Sequence, residues 1–364
     1  MNKKQLLFLV IILIAVPLLF AGGGKEKGGE MEKLPAFDNL KFAVITDIHL
    51  VLPEQKGNSD GYRLGLKTVS ILEKTVKEFN KDSDLDFVLV TGDLTVDAEP
   101  WNIDKTKEIL SRLNVPYFVI LGNHDSSPIR HNEKDQPVGL SKYAVSNTFT
   151  GMYGGGMEPG RTYYSRELAE GLVLVALDST HLQIWDPVAG MADFSGSIDP
   201  AQMVWLEKTL AANKGKTIIV MQHHGTVPFA EGDKTNHNYW GWFMLENGKE
   251  VQALYKKYGV KAVLSGHHHI STRAQNVDGV YHITNAALTS YPMRYTMYNI
   301  SPKGLSYEAK DVPVPAEWHD LVKKNFLANK WWRDADHTMT PEGDAKYLEF
   351  YESTATMKAS LDFK

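Results

Sequence analysis

Six short, unbroken apolar runs constrain this chain more than any other feature. They are "KFAVIT" (Lys41–Thr46), "DFVLVTG" (Asp86–Gly92), "PYFVILG" (Pro116–Gly122), "LVLVAL" (Leu172–Leu177), "KTIIVMQ" (Lys216–Gln222) and "KAVLSG" (Lys261–Gly266). Runs of this length without polar alternation suit strands buried on both faces. Helical patterns separate them. Leu64, Val69, Leu72, Val76 and Phe79 mark a first amphipathic segment. A second opens with Asp199 at the N-cap, Pro200 at N1 and Gln202 at N3, then Met203, Leu206 and Leu210. A third spans Glu250 to Tyr258. Strand–helix alternation predicts an α/β domain. After Val280 the runs "VYHITN", "RYTMYNI" and "LSYEAK" predict antiparallel strands of a second sheet.

The chain has 364 residues, 43% hydrophobic and 23% charged, which suits a globular protein with a sizeable core. The formal charge of −5, with no block of like charge, predicts no duplex nucleic-acid partner. There is no cysteine, so any metal must be held by Asp, Asn, Glu or His.

Lys3 and Lys4 precede the apolar run Leu6 to Phe20, followed by "AGGGKEKGGE". Fifteen helical residues rise about 22 Å, short of a bilayer core of roughly 30 Å. Residues 1–21 therefore read as a signal peptide and predict export to the periplasm, the cell envelope or the medium. An uncleaved anchor, which would keep the chain near a membrane, is the alternative. Gly23 stands where a lipidated cysteine would be, so thioether lipidation is excluded. Residues 22–39 read as a flexible linker, 40–311 as the main domain, and 312–364 as a C-terminal helical extension. Two segments fit no scaffold element: the polar, Gly-rich stretch from Ser126 to Arg161, and Thr226 to Gly248, rich in aromatics.

Five of the apolar runs end in residues able to bind a metal. "VITDIH" offers Asp47 and His49, and "VLVTGDLT" offers Asp93. "VILGNHD" offers Asn123, His124 and Asp125, "IVMQHHG" His223 and His224, and "AVLSGHHH" His267, His268 and His269. In α/β sheets, ligands gather beyond the carboxyl ends of strands. Each motif alone has a dull reading as a turn or a structural histidine. All five in order are a specific signal.

This order, D-x-H, G-D, G-N-H-D, H-H and G-H-x-H, resembles the calcineurin-like metallophosphoesterase superfamily over roughly residues 40–310. It is most similar to the bacterial class III cyclic-nucleotide and glycerophosphodiester phosphodiesterase branch. The resemblance implies a four-layer α/β/β/α sandwich, with two mixed β-sheets packed face to face and helices outside. It implies a site for two divalent metal ions (Mn, Fe, Zn or Co), with Asp47, His49 and His269 on one and Asn123, His223 and His267 on the other. Asp93 would bridge them. It further implies a small-molecule phosphate ester as substrate and a metal-bound hydroxide as nucleophile. His124 would contact the phosphate or protonate the leaving oxygen, with Asp125 orienting it. His224, Arg161, Tyr239 and Trp240 are candidate substrate contacts.

Val96 stands where purple acid phosphatases carry a metal-binding tyrosine. Ser126 and Ser127 follow "GNHD" where the cyclic-nucleotide branch often has an acidic residue and an arginine. These readings predict an exported binuclear phosphoesterase, with diesters slightly favoured over monoesters. The alternatives are a non-catalytic exported scaffold on the same fold and an envelope-lipid phosphoesterase. In an extended "GHHH" segment, His267 and His269 would project to one side and His268 to the other.

Overall fold

Alternate side chains of Leu172–Ala176 enter different layers. Leu174 joins one core with Phe42, Val44, Ile219 and Leu264, whereas Val173 and Val175 join another with Leu206, Leu210, Val251 and Tyr255. This is why the run lacks polar alternation: both faces are covered. Each such side chain, fully buried, contributes about 1.5–3 kcal/mol.

The computed structural model describes residues 34–56, 58–125, 139–149, 161–180, 185–186, 191–192, 194–228, 243–269, 271–328, 349 and 352–363. The signal peptide and most of the linker, and the candidates Tyr239 and Trp240, lie outside the described residues.

All six predicted strands form, but they divide between two sheets. In the first, β1 (Leu40–Ile45), β2 (Phe87–Thr91) and β3 (Tyr117–Ile120) run parallel. In the second, β5 (Leu172–Ala176), β8 (Thr217–Met221) and β9 (Ala262–Ser265) run parallel, with β4 (Tyr164–Ala169) antiparallel at the edge. Among the described residues each sheet has six strands, in the orders β14 (Lys358–Asp362), β13 (Gly304–Asp311), β12 (Arg294–Ser301), β1, β2, β3 and β10 (Arg273–Val277), β11 (Val280–Thr284), β9, β8, β5, β4. A short β6–β7 pair (Trp185–Asp186 and Met191–Ala192) stands apart.

The strands after Val280 do not make a sheet of their own. The strand β11 (Val280–Thr284) pairs parallel to β9 and antiparallel to β10 (Arg273–Val277). In contrast, β12 (Arg294–Ser301) pairs antiparallel to β1 and to β13 (Gly304–Asp311). Pairing partners are set by long-range packing, which local patterns do not encode. Both sheets are therefore mixed and share the Phe42–Leu174 core, the layered sandwich that the motifs imply.

Helices cover the outer faces. Phe79 of α1 (Thr68–Phe79) meets Tyr295 of β12, ring centroids 5.1 Å apart, with α2 (Pro100–Leu110) alongside. On the other side lie α4 (Pro200–Ala212) and α5 (Gly248–Tyr258). The predicted cap holds: Asp199 Oδ1 accepts from the amides of Ala201 and Gln202, both at 2.9 Å. The Gln202 side chain does not reach back to Asp199; it binds the Asp178 backbone instead. Within the segment expected to lack structure, Lys142–Thr148 forms a short α3, and Lys142 Nζ lies 2.9 Å from Asp178 Oδ2. The C-terminal segment is more than helical. After α6 (Ala316–Ala328), β14 (Lys358–Asp362) adds an antiparallel edge to the first sheet. Its period-2 pattern is short and half-exposed, a weak signal beside the buried runs.

Candidate metal centre

Five loops leave the C-terminal ends of β1, β2, β3, β8 and β9 and meet where the two sheets face each other. Direct hydrogen bonds tie them. The amides of Asp47 and His49 donate to the carbonyls of Gly92 (3.1 Å) and Asp93 (2.9 Å). The amide of His267 crosses from the second sheet to Asp47 Oδ1 and Oδ2, at 3.1 and 3.0 Å.

Five of the candidate donors sit in left-handed backbone conformation: Asp47 (φ 51°), His49 (φ 42°), Asp93 (φ 52°), His267 (φ 69°) and His269 (φ 52°). Non-glycine residues pay about 1–2 kcal/mol for this region. The surrounding ladder and core hold them there, a concentration of strain typical of functional sites. The "GHHH" segment is thus not extended, which corrects the strand-like expectation. Separation of its side chains is achieved through these left-handed turns. His267 and His269 enter different donor groups, while the His268 ring stacks on Phe243, with centroids 4.8 Å apart.

The donors form two groups that share Asp93. Asp47, His49, Asp93 and His269 make one; Asp93, His223 and His267 make the other. Asp93 divides its oxygens between them: Oδ2 lies 3.3 Å from His49 Nε2, and Oδ1 lies 3.3 Å from His223 Nε2. His269 Nε2 stands 3.0 Å from Asp47 Oδ1 and 2.9 Å from His49 Nε2. Asn123, on a single 3-10 turn after β3, places Oδ1 at 3.1 Å from His223 Nε2.

Outer contacts aim the rings. His223 donates from Nδ1 to the Thr91 carbonyl at 2.8 Å, which leaves Nε2 for the centre. Ser290 Oγ pairs with His269 Nδ1 at 3.1 Å. Two glycines give room. A Cβ on Gly122 would lie 2.2 Å from Asp93 Oδ1, and one on Gly266 would lie 2.7 Å from Asp47 Oδ2.

The electrostatics fit divalent cations. Burial pushes the Asp93 carboxyl up, yet the imidazoles of His223, His124 and His49 outweigh it and hold it well below the usual range. Burial would lower His223, but Asp93 reverses this and raises it to about 9. A proton on His223 thus stands in for a cation between buried carboxylates. Buried carboxylates with converging imidazole nitrogens and no sulfur suit Mn, Fe, Zn or Co. On the far side, His49 Nδ1 is buried without a partner among the described residues, so Nε2 is the His49 atom facing the donors.

Asp125 and His224 take other parts than expected. Asp125 does not orient His124. Its carboxylate accepts from the amides of Leu94 (2.9 Å), Thr95 (3.1 Å) and Gly122 (3.1 Å), and so fixes the Asp93 turn. Burial and the nearby Asp93 charge raise its pKa to about 7. The Val96 carbonyl holds His124 Nδ1 instead. Burial and the adjacent Arg63 lower His124 to about 3 against the pull of Asp93, so the free protein carries a neutral ring. His224 is closed to substrate. Ser179 Oγ accepts from the amides of His223 and His224 and pairs with His224 Nδ1 at 2.8 Å; Nε2 faces the Phe194 carbonyl at 3.0 Å. Arg161 lies three residues before β4, with its guanidinium 5.3 Å from the Tyr163 ring centre.

Sequence reasoning missed Arg63 and Tyr62, which overhang the centre. Arg63 Nη2 lies 3.2 Å from His124 Nε2, and the Tyr62 and His269 ring centroids are 6.3 Å apart. The signal was present: "GYRLG" falls in the loop between the first donor strand and the first helix.

Two facing mixed sheets, with acidic and imidazole donors between their strand ends, define a metallophosphatase sandwich. The chain belongs to the calcineurin-like phosphoesterase family, whose model matches residues 40–271. It is thus a metal-dependent phosphoric ester hydrolase. It is similar to the 3',5'-cyclic adenosine monophosphate phosphodiesterase CpdA of Haemophilus influenzae, 26% identical over 63% of this chain and 70% of that protein. It also resembles a 3',5'-cyclic-nucleotide phosphodiesterase of a Nostoc species, 25% identical over 80% of this chain and 94% of that protein. A dimetal phosphatase from Danio rerio has the same fold, with a TM-score of 0.60 and 14% identity over 75% of this chain and 96% of that one.

Proposed function

We propose that this chain is an exported phosphodiesterase with a binuclear metal centre. Asp47, His49 and His269 would hold one divalent cation, Asn123, His223 and His267 the other, and Asp93 would serve both. The observation that carries this is the division of the Asp93 carboxylate, one oxygen toward each donor group. Two such cations supply Lewis acidity for an in-line displacement at phosphorus. The cyclic-nucleotide phosphodiesterases among its relatives support a diester substrate. The basic and apolar N-terminus supports export.

His124 lies beside both groups without joining either. Its Nδ1 donates to Val96, so only Nε2 faces incoming substrate. A phosphate oxygen against Nε2 adds the negative charge that favours uptake of a proton from solvent water onto Nε2. As the ester bond breaks, that proton passes to the leaving oxygen.

The test is turnover of the manganese-loaded full chain on bis(p-nitrophenyl) phosphate and p-nitrophenyl phosphate. Faster diester hydrolysis is expected. A monoester preference of about tenfold would reject the diester reading, at about 1.4 kcal/mol in transition-state terms.

A further inference from the structure

We infer that Arg63 is a phosphate-binding residue at the mouth of the centre, held in place by the C-terminal helix α6. This rests on the phosphoesterase reading of the centre.

Arg63 is a cation without a counter-charge among the described residues. Among the described residues no carboxylate pairs with it, and its Nε is buried without a partner. A guanidinium stays charged at any ordinary pH and presents a fork that matches two phosphate oxygens. Its Nη2 contacts an imidazole nitrogen, His124 Nε2, at 3.2 Å, and no carboxylate oxygen among the described residues. Its plane rests on Tyr62, 4.9 Å from the ring centre, and Tyr62 borders His269. The pair thus spans the centre from His124 to His269, where the non-bridging oxygens of a bound phosphoester would face outward.

The loop that carries Arg63 is tied from the far end of the chain. Asn325 Nδ2 of α6 donates to the carbonyls of Asp60 (3.0 Å) and Gly61 (3.1 Å). Lys67, paired with Asp60, lies 5.6 Å from the Trp318 ring centre of the same helix. Val322 and Phe326 of α6 are buried alongside these contacts. The helix lies beyond the family match, which ends at residue 271. Asn325 is therefore a positioning residue, acting through Arg63.

The experiment measures the affinity of inorganic phosphate for the manganese-loaded full chain by calorimetry, together with metal content and the KM and kcat for bis(p-nitrophenyl) phosphate. Arg63→Ala should weaken phosphate binding about tenfold or more and raise KM, with metal content unchanged. Arg63→Lys should recover part of the loss. Asn325→Ala should shift phosphate affinity in the same direction by less, and should add nothing in the Arg63→Ala background. Unchanged phosphate affinity in Arg63→Ala with metal intact, or no phosphate binding by the parent protein, would overturn the assignment. Full additivity of the two substitutions would overturn the positioning role of Asn325. A parent protein that binds phosphate but hydrolyses no ester would reject the phosphoesterase reading and leave the Arg63 measurement standing.

Discussion

Gly122 lies flush against the carboxylate of Asp93. A methyl group at Gly122 would stand 2.2 Å from Oδ1 and 2.3 Å from the Asp93 amide nitrogen. Neither atom can retreat, because Oδ1 also accepts the His124 amide at 2.9 Å and the Asp93 turn is fixed by Asp125. Gly122→Ala should therefore displace the shared carboxylate. We expect loss of bound metal, and a stability cost of about 1–3 kcal/mol in denaturant unfolding. Normal metal content in that variant would show that Asp93 is not held as described.

The three consecutive histidines should behave unequally. His268 packs on Phe243 and belongs to neither donor group, whereas His267 and His269 each face one. His268→Ala should keep its metal and lose only packing. His267→Ala and His269→Ala should each lose metal, read by elemental analysis of the purified variants. Equal metal loss in all three would contradict the division of the segment.

Proton transfer by His124 can be read from the leaving group. His124→Ala should retain metal and lose about 10²-fold or more in kcat on an alkyl phosphodiester. The loss should shrink on bis(p-nitrophenyl) phosphate, whose leaving group needs little protonation. An equal loss on both substrates would assign His124 to binding alone.

Metal uptake should release a proton. His223, raised to about 9 in the metal-free protein, is protonated at neutral pH and must lose that proton to bind a cation. Affinity should climb with pH by up to about tenfold per unit from neutrality and flatten above about pH 9. The linked stability has the opposite sign. A raised imidazole pKa stabilises the metal-free fold fully below the unfolded value of about 6.5, and that contribution disappears as pH rises through about 9. Calorimetry in two buffers of different ionisation enthalpy counts the proton, and a count of zero would reject it.

Much of this centre was readable because its signals are local. A buried strand shows as an apolar run, and a donor at its end is the next residue or two. Asp47, Asp93, Asn123, His223 and His267 all follow that rule. What was not readable depends on contacts distant in sequence. The separation of β1–β3 from β5, β8 and β9 into different sheets rests on pairings across the whole chain. The Arg63–His124 and Asn325–Asp60 contacts join segments 61 and 265 residues apart. The left-handed conformations at five donors are uncommon for any non-glycine residue, and the modest enrichment of Asp and His there does not mark which positions adopt them. Asp125 misled because its neighbour in sequence, His124, is not its partner in space.

The most direct test of the account is metal stoichiometry in the parent protein and in Asp93→Ala. Two divalent ions per chain are predicted for the parent after reconstitution. Asp93→Ala, which removes the oxygen facing each group, should fall below one ion per chain and lose phosphoesterase activity. One ion in the parent, or two ions and full activity in Asp93→Ala, would contradict a centre bridged by that carboxylate.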